Sequence, residues 1–317
     1  MAKYKIGDKA ATREGYGDAL LELGKKHEEI IAMDADLAKS TKASVFAKAF
    51  PERFHYIGIS EQDMVSTAAG LAMCGKVPFI STFSVFIINR ALDQMRVSCA
   101  YSNANVKITG SHGGLMTGQD GPTGQGISDI ATTMNIPNFQ VFVPADYYET
   151  IAITNAMYEN KGPMYMRTAR ASTTVLTDDV PEFKIGKANL LKEGADASII
   201  AIGPMVDEAI KASEALKKQG ISASVLNCAS VKPLDEKAVL KEAQKGIVVT
   251  AEDGIVNGLG NAVASVMAEN NTDAYLFRVG LNNSFAESGK PEALLKKYEM
   301  DADAIVKRVK KGLELRK

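Results

Sequence analysis

The sequence predicts an α/β fold made of two doubly wound domains, each with helices packed on a mostly parallel sheet. Short apolar runs alternate with amphipathic segments twice along the 317 residues, a pattern typical of parallel sheets covered by helices. Between the two alternations, residues 173–186 follow neither the strand period nor the helix period. We therefore predict domains at 1–172 and 187–317, joined by a linker, with the second domain the smaller.

The first domain contains apolar runs bounded by turn residues, which predict buried strands. The predicted strands span 30–33, 54–59, 77–83, 106–109, 139–143 and 164–167. The predicted helices span 13–26, 42–50, 86–101 and 147–159, with two more beginning after Ser60 and near Ser128. Thr12 is expected to cap the first helix, and Pro51 is expected to end the second because proline cannot continue a helix.

The second domain repeats the alternation. Its predicted strands span 198–202, 223–226, 247–250 and 275–279, with amphipathic helices such as 206–218 between them. Residues 257–261, NGLGN, carry two glycines of a dinucleotide-binding fingerprint, but the third glycine position is Val263. No acidic partner follows at the required distance, so a nicotinamide site is rejected.

Composition limits the class of partner. The chain is 46% hydrophobic and 24% charged, enough apolar residues for two cores, and its net charge is −1. Scattered lysines and arginines leave no basic face for nucleic acid and no polybasic patch for a membrane. No apolar run is long enough to span a bilayer, and the first residues lack the apolar centre of a signal peptide. We expect a cytoplasmic protein that binds small molecules or other proteins.

The cysteines predict neither disulfides nor a zinc site. Cys74, Cys99 and Cys228 are far apart in sequence and lie in apolar settings, as reduced core thiols do. The three histidines of the chain form no paired zinc-binding motif.

Glu61 lies at a junction between a predicted strand and a predicted helix. The apolar run 54–59 ends at Ser60, and Val65 begins a series of small apolar residues at helical spacing. Such junctions are where α/β sheets bind ligands. The alternative is local: Ser60 caps the helix, Asp63 completes an acidic capping box, and Glu61 complements the helix dipole.

The pentapeptide Gly58-Ile59-Ser60-Glu61-Gln62 resembles the glycine–isoleucine–x–glutamate signature of the transketolase family of thiamine-diphosphate enzymes. The resemblance implies a thiamine-diphosphate pyrimidine-binding domain followed by a transketolase C-terminal α/β domain. It also implies that Glu61 is catalytic: it hydrogen-bonds the aminopyrimidine ring of the cofactor and favours the imino tautomer that deprotonates the thiazolium carbon.

A glycine-rich loop, SHGGLMTGQDGPTGQGISD, follows the strand 106–109. It lacks the Gly-Lys-Ser/Thr of a Walker phosphate loop. It resembles the substrate loop of transketolases, in which a histidine precedes an Asp-Gly-Pro-Thr motif, so His112 and Asp120 are implied substrate ligands and His112 a catalytic residue. Gly124 stands where the family usually has a histidine that contacts the sugar phosphate. The donor and acceptor sugars therefore stay open.

The cofactor's ring is implied to pack on aromatic side chains. From composition alone Phe83 and Phe86 are core aromatics, but they match family aromatics that stack on the pyrimidine. A third aromatic position of the family falls on Asn89, which implies a rearranged wall. Asp36 matches an acidic position near the cofactor.

Three further residues match the family's phosphate contacts. Arg13, Ser40 and Arg170 could equally be a first-turn helix residue, a turn residue and a charge at a strand end. The resemblance implies that they bind the substrate phosphate, and the forked guanidinium suits a phosphate dianion.

No Gly-Asp-Gly segment, the family's magnesium–diphosphate motif, occurs in the chain. Lys232-Pro233-Leu234-Asp235 resembles a segment of the transketolase C-terminal domain. We therefore predict the C-terminal subunit of a split transketolase, which transfers a two-carbon ketol unit from a ketose phosphate to an aldose. Thiamine diphosphate and Mg²⁺ would be held with an N-terminal subunit in a two-plus-two heterotetramer, and the chain alone would form a homodimer.

Three alternatives to a transketolase subunit stay open. The first two are the beta subunit of a 2-oxoacid dehydrogenase, which the Asp-Gly-Pro-Thr loop disfavours, and a deoxyxylulose-phosphate-synthase-like fragment. The third is a non-catalytic partner subunit, in which we would expect the glutamate at position 61 to be lost.

Overall fold

The two alternations of apolar and amphipathic segments form two mostly parallel sheets with helices on their faces, which confirms the α/β fold class. The computed structural model describes residues 3–316. The strands are β1 (Lys9–Ala11), β2 (Ile30–Asp34), β3 (Phe54–Tyr56), β4 (Val77–Phe83), β5 (Lys107–Ser111), β6 (Gln140–Phe142), β7 (Met164–Arg167), β8 (Ser172–Thr174), β9 (Asn189–Lys192), β10 (Ala197–Ala201), β11 (Ala223–Asn227), β12 (Ser230–Lys232), β13 (Ile247–Ile255) and β14 (Tyr275–Leu281).

The helices alternate with these strands. They are α1 (Thr12–Lys26), α2 (Ala38–Thr41), α3 (Ser44–Ala49), α4 (Glu61–Met73), α5 (Ser84–Gln94), α6 (Asp129–Met134), α7 (Tyr147–Glu159), α8 (Met205–Lys217), α9 (Glu236–Ala243), α10 (Leu259–Glu269), α11 (Pro291–Lys297) and α12 (Ala302–Leu315). Short 3₁₀ turns cover Pro51–Arg53 and Leu115–Asp120, and a π-helical stretch, Met95–Tyr101, continues α5.

The larger sheet has seven strands in the order β12-β6-β7-β5-β4-β2-β3. All of its pairs are parallel except β12 with β6. The carboxyl ends of β2, β4, β5 and β7 therefore lie along one edge, where ligands bind in α/β folds. The second sheet, β14-β13-β10-β11-β9, is parallel except for β9.

The strands of the two sheets do not follow the domain and linker boundaries predicted from the sequence pattern. Strand β12 belongs to the second half of the chain but pairs with β6 of the first sheet. Strand β8 includes the first residues of the predicted linker and pairs with β1 in a separate two-stranded sheet. Both strands have three residues, so partners distant in sequence decide their pairing and local pattern does not reveal it.

Several predicted boundaries were wrong. The strand predicted over 54–59 ends at Tyr56 because β3 is the edge of its sheet, and Tyr56 and Ile59 are 64% and 73% exposed. Thr12 is the first residue of α1 and not its cap, since its hydroxyl instead accepts a hydrogen bond from the Ala169 N–H at 2.7 Å. The helix predicted over 42–50 begins two residues later and ends one residue earlier, as α3. Lys42 has a left-handed backbone (φ 71°) and ends the preceding short helix, α2.

The helix predicted over 86–101 starts two residues earlier, at Ser84, and breaks at Ala91, whose φ of −121° and ψ of 20° are not helical. Cys99 and Cys228 are buried free thiols as predicted, whereas Cys74 is free but exposed at the end of α4. Among residues 3–316, no helix has the length and apolar character needed to cross a membrane.

Candidate functional site

Glu61 is the first residue of α4, and only 2% of it is exposed. Its Oε1 accepts a hydrogen bond from Arg90 Nη1 at 2.8 Å. The Ser60 hydroxyl makes no capping hydrogen bond to α4, so the local capping alternative has no support in the structure. A carboxylate can complement a helix dipole while exposed to solvent, so that role does not require burial. Glu61 instead presents a buried acceptor at the edge of the sheet.

A row of stacked planar groups lies beside this carboxylate. The Arg90 guanidinium carbon lies 4.2 Å from the centroid of the Phe86 ring. The Phe86 and Phe83 rings stack at 5.5 Å with an 18° angle, and the Phe83 and His112 rings stack at 3.7 Å with a 19° angle. Phe83 ends β4, and Phe86 and Arg90 are four residues apart on α5 and so share one helix face. The structure therefore brings Glu61, Phe83, Phe86 and His112 together.

His112 follows β5 directly and is 2% exposed. Its φ of 58° lies in the left-handed region, which is uncommon for residues other than glycine and occurs often at functional sites. Its Nδ1 is hydrogen bonded to the Ser111 hydroxyl at 2.9 Å. Burial, together with the positive charges of Arg13 and Arg170, lowers the pKa of His112 to about 3. The imidazole is therefore neutral near pH 7.

Arg13 and Arg170 form a cationic cluster near His112. Arg13 Nη1 donates to the Ser40 carbonyl oxygen at 2.9 Å, while its Nε is buried without a hydrogen-bond partner. Arg170 Nη1 donates to Gln119 Oε1 at 2.8 Å, and its Nε lies 3.8 Å from an Asp120 oxygen. Burial and the charge of Arg170 lower the pKa of Arg13. Two close guanidinium groups with an unpaired buried N–H suit an anionic ligand.

The loop after β2 holds two more predicted site residues. Buried Asp34 shapes this loop by accepting hydrogen bonds from the Leu37 N–H at 2.5 Å and the Thr41 hydroxyl at 2.8 Å. Burial raises the pKa of Asp34 to about 7. Asp36 is exposed with φ 64° and lines a cavity of about 370 Å³ with Ser40.

Two of the residues predicted to bind the cofactor stand apart from the stacked row. Asn89 is exposed, and its amide donates to the Val85 carbonyl oxygen of its own helix at 2.7 Å. Across residues 3–316, neither Asn89 nor Asp36 stacks on or hydrogen-bonds to Glu61, Phe83 or Phe86. Their roles at the cofactor remain predictions.

A buried ion pair that the sequence pattern did not reveal anchors the glycine-rich loop. Arg167, at the end of β7, donates to both carboxylate oxygens of Asp129, and the Tyr165 hydroxyl donates to the same carboxylate at 2.7 Å. Arg167 also donates to the main-chain oxygens of Gly126 and Asp253. The pair therefore joins the first sheet, the loop and β13 of the second sheet.

Asp253 completes this anchor from β13. Its carboxylate accepts hydrogen bonds from the N–H groups of Leu115 at 2.7 Å and Met116 at 3.2 Å. Burial raises the pKa of Asp253 to about 6. The only sequence signals of this anchor were a charge at a strand end and an Asp-Gly after an apolar strand, and both also occur in ordinary turns.

The glycine-rich loop closes too tightly at Gly124 for a side chain. A Cβ built there would lie 2.8 Å from the Cβ of Asp120, closer than such atoms approach in proteins. The histidine that the family resemblance led us to expect at this position would require the loop to move.

Within residues 3–316, no group of three or more His, Cys, Asp or Glu side chains is placed to hold a metal ion. Asp34 and Asp253 accept hydrogen bonds from backbone N–H groups. Glu61, Asp120 and Asp129 pair with arginine.

Comparison with known proteins shows which protein family the chain belongs to. Residues 8–175 match the family model of the transketolase pyrimidine-binding domain, and residues 186–305 match that of the transketolase C-terminal domain. The chain belongs to the transketolase family, as the C-terminal section of a split transketolase. The resemblance found in the sequence is thereby confirmed.

Individual relatives agree with this assignment. The chain is 46% identical over 300 residues to a Methanocaldococcus jannaschii protein named "Putative transketolase C-terminal section", covering 94% of each. It is 40% identical to the 6-deoxy-6-sulfo-D-fructose transketolase subunit of a Clostridium species, covering 93% of this chain and 92% of the relative. A solved structure described as a split-gene transketolase, inactive beta4 tetramer, aligns with a TM-score of 0.89 and 43% identity over 98% of this chain and all of that one.

Proposed function

We propose that this chain supplies the pyrimidine-binding half of a thiamine-diphosphate-dependent transketolase. The enzyme would transfer a two-carbon ketol unit from a ketose phosphate to an aldose. One observation carries the proposal: a carboxylate that is 2% exposed lies beside the Phe86 ring and already binds a planar nitrogen group stacked on that ring. An aminopyrimidine has the same flat shape and the same N–H donors.

The residues of this chain fit the pyrimidine end of the cofactor. We assign the Glu61 carboxylate, whose Oε1 accepts a hydrogen bond from Arg90 in this structure, to the ring nitrogen of the pyrimidine. Phe86, backed by Phe83 and His112, would be the flat apolar wall on which the ring stacks. When bound, thiamine diphosphate supplies the electron sink for cleavage of the bond next to the ketone.

The chain's own groups would then perform three tasks. Glu61 shares a proton with the ring nitrogen, in a site from which water is largely excluded. His112, neutral near pH 7 because its pKa is lowered to about 3, can exchange hydrogen bonds with substrate hydroxyls without adding charge. Arg13 and Arg170 would hold the terminal anion of the sugar, and Ser40 and Asp120, which contact these two arginines, would fix their positions.

The magnesium–diphosphate half is assigned to an N-terminal transketolase subunit that carries Gly-Asp-Gly, in an assembly of two copies of each chain. Magnesium needs several oxygen ligands in near-octahedral geometry, and residues 3–316 hold no cluster of acidic side chains placed for a metal. The similar structure described as an inactive beta4 tetramer favours a tetramer of this chain alone over the homodimer expected from the sequence.

The substrate class is tested at Arg170. In the assembled enzyme, Arg170→Ala should raise KM for a phosphorylated ketose about 30-fold, since a hydrogen bond between charged groups contributes about 2 kcal/mol. KM for the sugar without the phosphate should change less than about twofold, because that sugar makes no such bond. Steady-state kinetics with both sugars measures the difference.

A third arm of this experiment uses a 6-deoxy-6-sulfo sugar, because one relative is a sulfofructose transketolase subunit. A sulfonate offers the same arginine-binding oxygens as a phosphate, with one charge fewer. Equal losses for charged and uncharged sugars would make Arg170 a structural residue. A wild-type enzyme that transfers no ketol unit from any of the three would contradict the proposed function.

A further inference from the structure

Arg90 lies where the cofactor's ring is expected. Its guanidinium donates to Glu61 Oε1 at 2.8 Å and stacks over Phe86 at 4.2 Å. These are the two contacts assigned above to the aminopyrimidine: an N–H donor to the glutamate and a flat face on the phenyl ring. One face of one ring has room for one planar group, so Arg90 and the cofactor compete for it.

We propose that Arg90 is a placeholder that closes the pyrimidine site of the cofactor-free chain and withdraws when the cofactor's ring enters. The proposal rests on the assignment of Glu61 as the ring-binding carboxylate. Its physical basis is the cost of leaving Glu61, which is 2% exposed, without a partner. A buried carboxylate whose cation is removed is strongly destabilised, and Arg90 provides that cation until the ring arrives.

The surroundings of Arg90 allow it to leave. Its side chain is 43% exposed, whereas that of Glu61 is 2% exposed, so the arginine can swing into solvent while the glutamate stays in place. The next residue, Ala91, breaks the helical backbone of α5, and the chain continues as a π-helical stretch. Such interruptions occur often at functional sites.

Competition of this kind sets a threshold for binding. The apparent affinity of a ligand is its intrinsic affinity multiplied by the fraction of molecules whose site is open. A pyrimidine ring alone has little binding energy with which to displace Arg90. A cofactor whose diphosphate is held by a partner subunit has more, so Arg90 would restrict loading to the assembled enzyme.

The test measures the affinity of thiamine diphosphate, at saturating Mg²⁺, for the complex of this chain with an N-terminal section. Calorimetry of Arg90→Ala should show binding five- to thirty-fold tighter than wild type, about 1 to 2 kcal/mol at 1.4 kcal/mol per tenfold. Arg90→Lys should give a smaller gain because it keeps the charge and loses the planar stack. Arg96→Ala is the matched control, because Arg96 is an exposed arginine six residues further along the same helical segment. This variant should bind thiamine diphosphate with the wild-type affinity.

A second measurement uses the cofactor-free chain. Arg90→Ala should lower its melting temperature by unpairing Glu61, and Glu61→Gln should remove most of that effect in the double variant. If Arg90→Ala fails to assemble, Arg90→Lys carries the same predictions with smaller changes. Unchanged or weaker cofactor binding in both variants would overturn the placeholder.

Failure of the placeholder differs from failure of the proposed function. Suppose that the wild-type complex binds thiamine diphosphate, that Glu61→Gln abolishes this binding, and that Arg90→Ala binds no more tightly. The placeholder role of Arg90 would then be wrong, and Glu61 would remain the ring-binding residue. A wild-type complex that binds no thiamine diphosphate would remove both.

Discussion

Glu61→Gln is expected to lower ketol transfer about 1,000-fold in the assembled enzyme. The amide cannot share a proton with the ring nitrogen as a carboxyl group does, and the loss of general acid–base assistance typically costs two to four orders of magnitude. The substitution keeps side-chain size and polarity at the first residue of α4, so the fold should be unchanged. Single-turnover kinetics of the reconstituted enzyme measures the effect.

The matched control for this variant is Asp63→Asn. Asp63 lies in the same first turn of α4 but is exposed, and its conversion to an amide should change the rate less than about twofold. Near-normal turnover of Glu61→Gln, or equal losses in the two variants, would remove Glu61 from the catalytic machinery.

Arg167→Met is expected to cause the largest loss of stability, about 3 to 5 kcal/mol in the free energy of unfolding. Removing one partner of a buried ion pair leaves the other charge uncompensated. Arg167 and Asp129 are 3% and 1% exposed, so water cannot solvate the remaining carboxylate. Urea unfolding monitored by circular dichroism measures the change.

A double variant separates the charge effect from the packing effect. Arg167→Met with Asp129→Leu should recover more than half of the loss, because the Asp129 carboxylate that lost its cation is then absent. Arg278→Met, at an exposed arginine of β14, is the matched control and should cost less than about 0.5 kcal/mol. A loss below 1 kcal/mol for Arg167→Met would mean that the pair does not anchor the loop.

The sequence predicted what is local or repeated. Alternating apolar runs identified most strands of both sheets, because buried strands are nearly continuous in hydrophobicity. Short motifs near strand ends identified four site residues: Glu61, Phe83, Phe86 and His112. The strand order then brings the carboxyl ends of those strands to one edge of the sheet.

Features that depend on contacts distant in sequence were not predictable. Arg90 falls within the helix predicted over 86–101, but only the fold brings its guanidinium to Glu61, 29 residues away in sequence. Asp129 and Arg167 are separated by 38 residues, and Asp253 lies on the other sheet. No period or propensity encodes such pairs.

The central claim is that this chain holds one half of a cofactor site and needs a partner for the other half. Calorimetric titration with thiamine diphosphate and Mg²⁺, performed on the chain alone and on the chain mixed with an N-terminal transketolase section, tests it most directly. We expect no micromolar binding by the chain alone, and one cofactor for each pair of chains in the mixture, accompanied by ketol transfer. Micromolar binding and ketol transfer by this chain alone would contradict the claim and place a diphosphate site within this sequence.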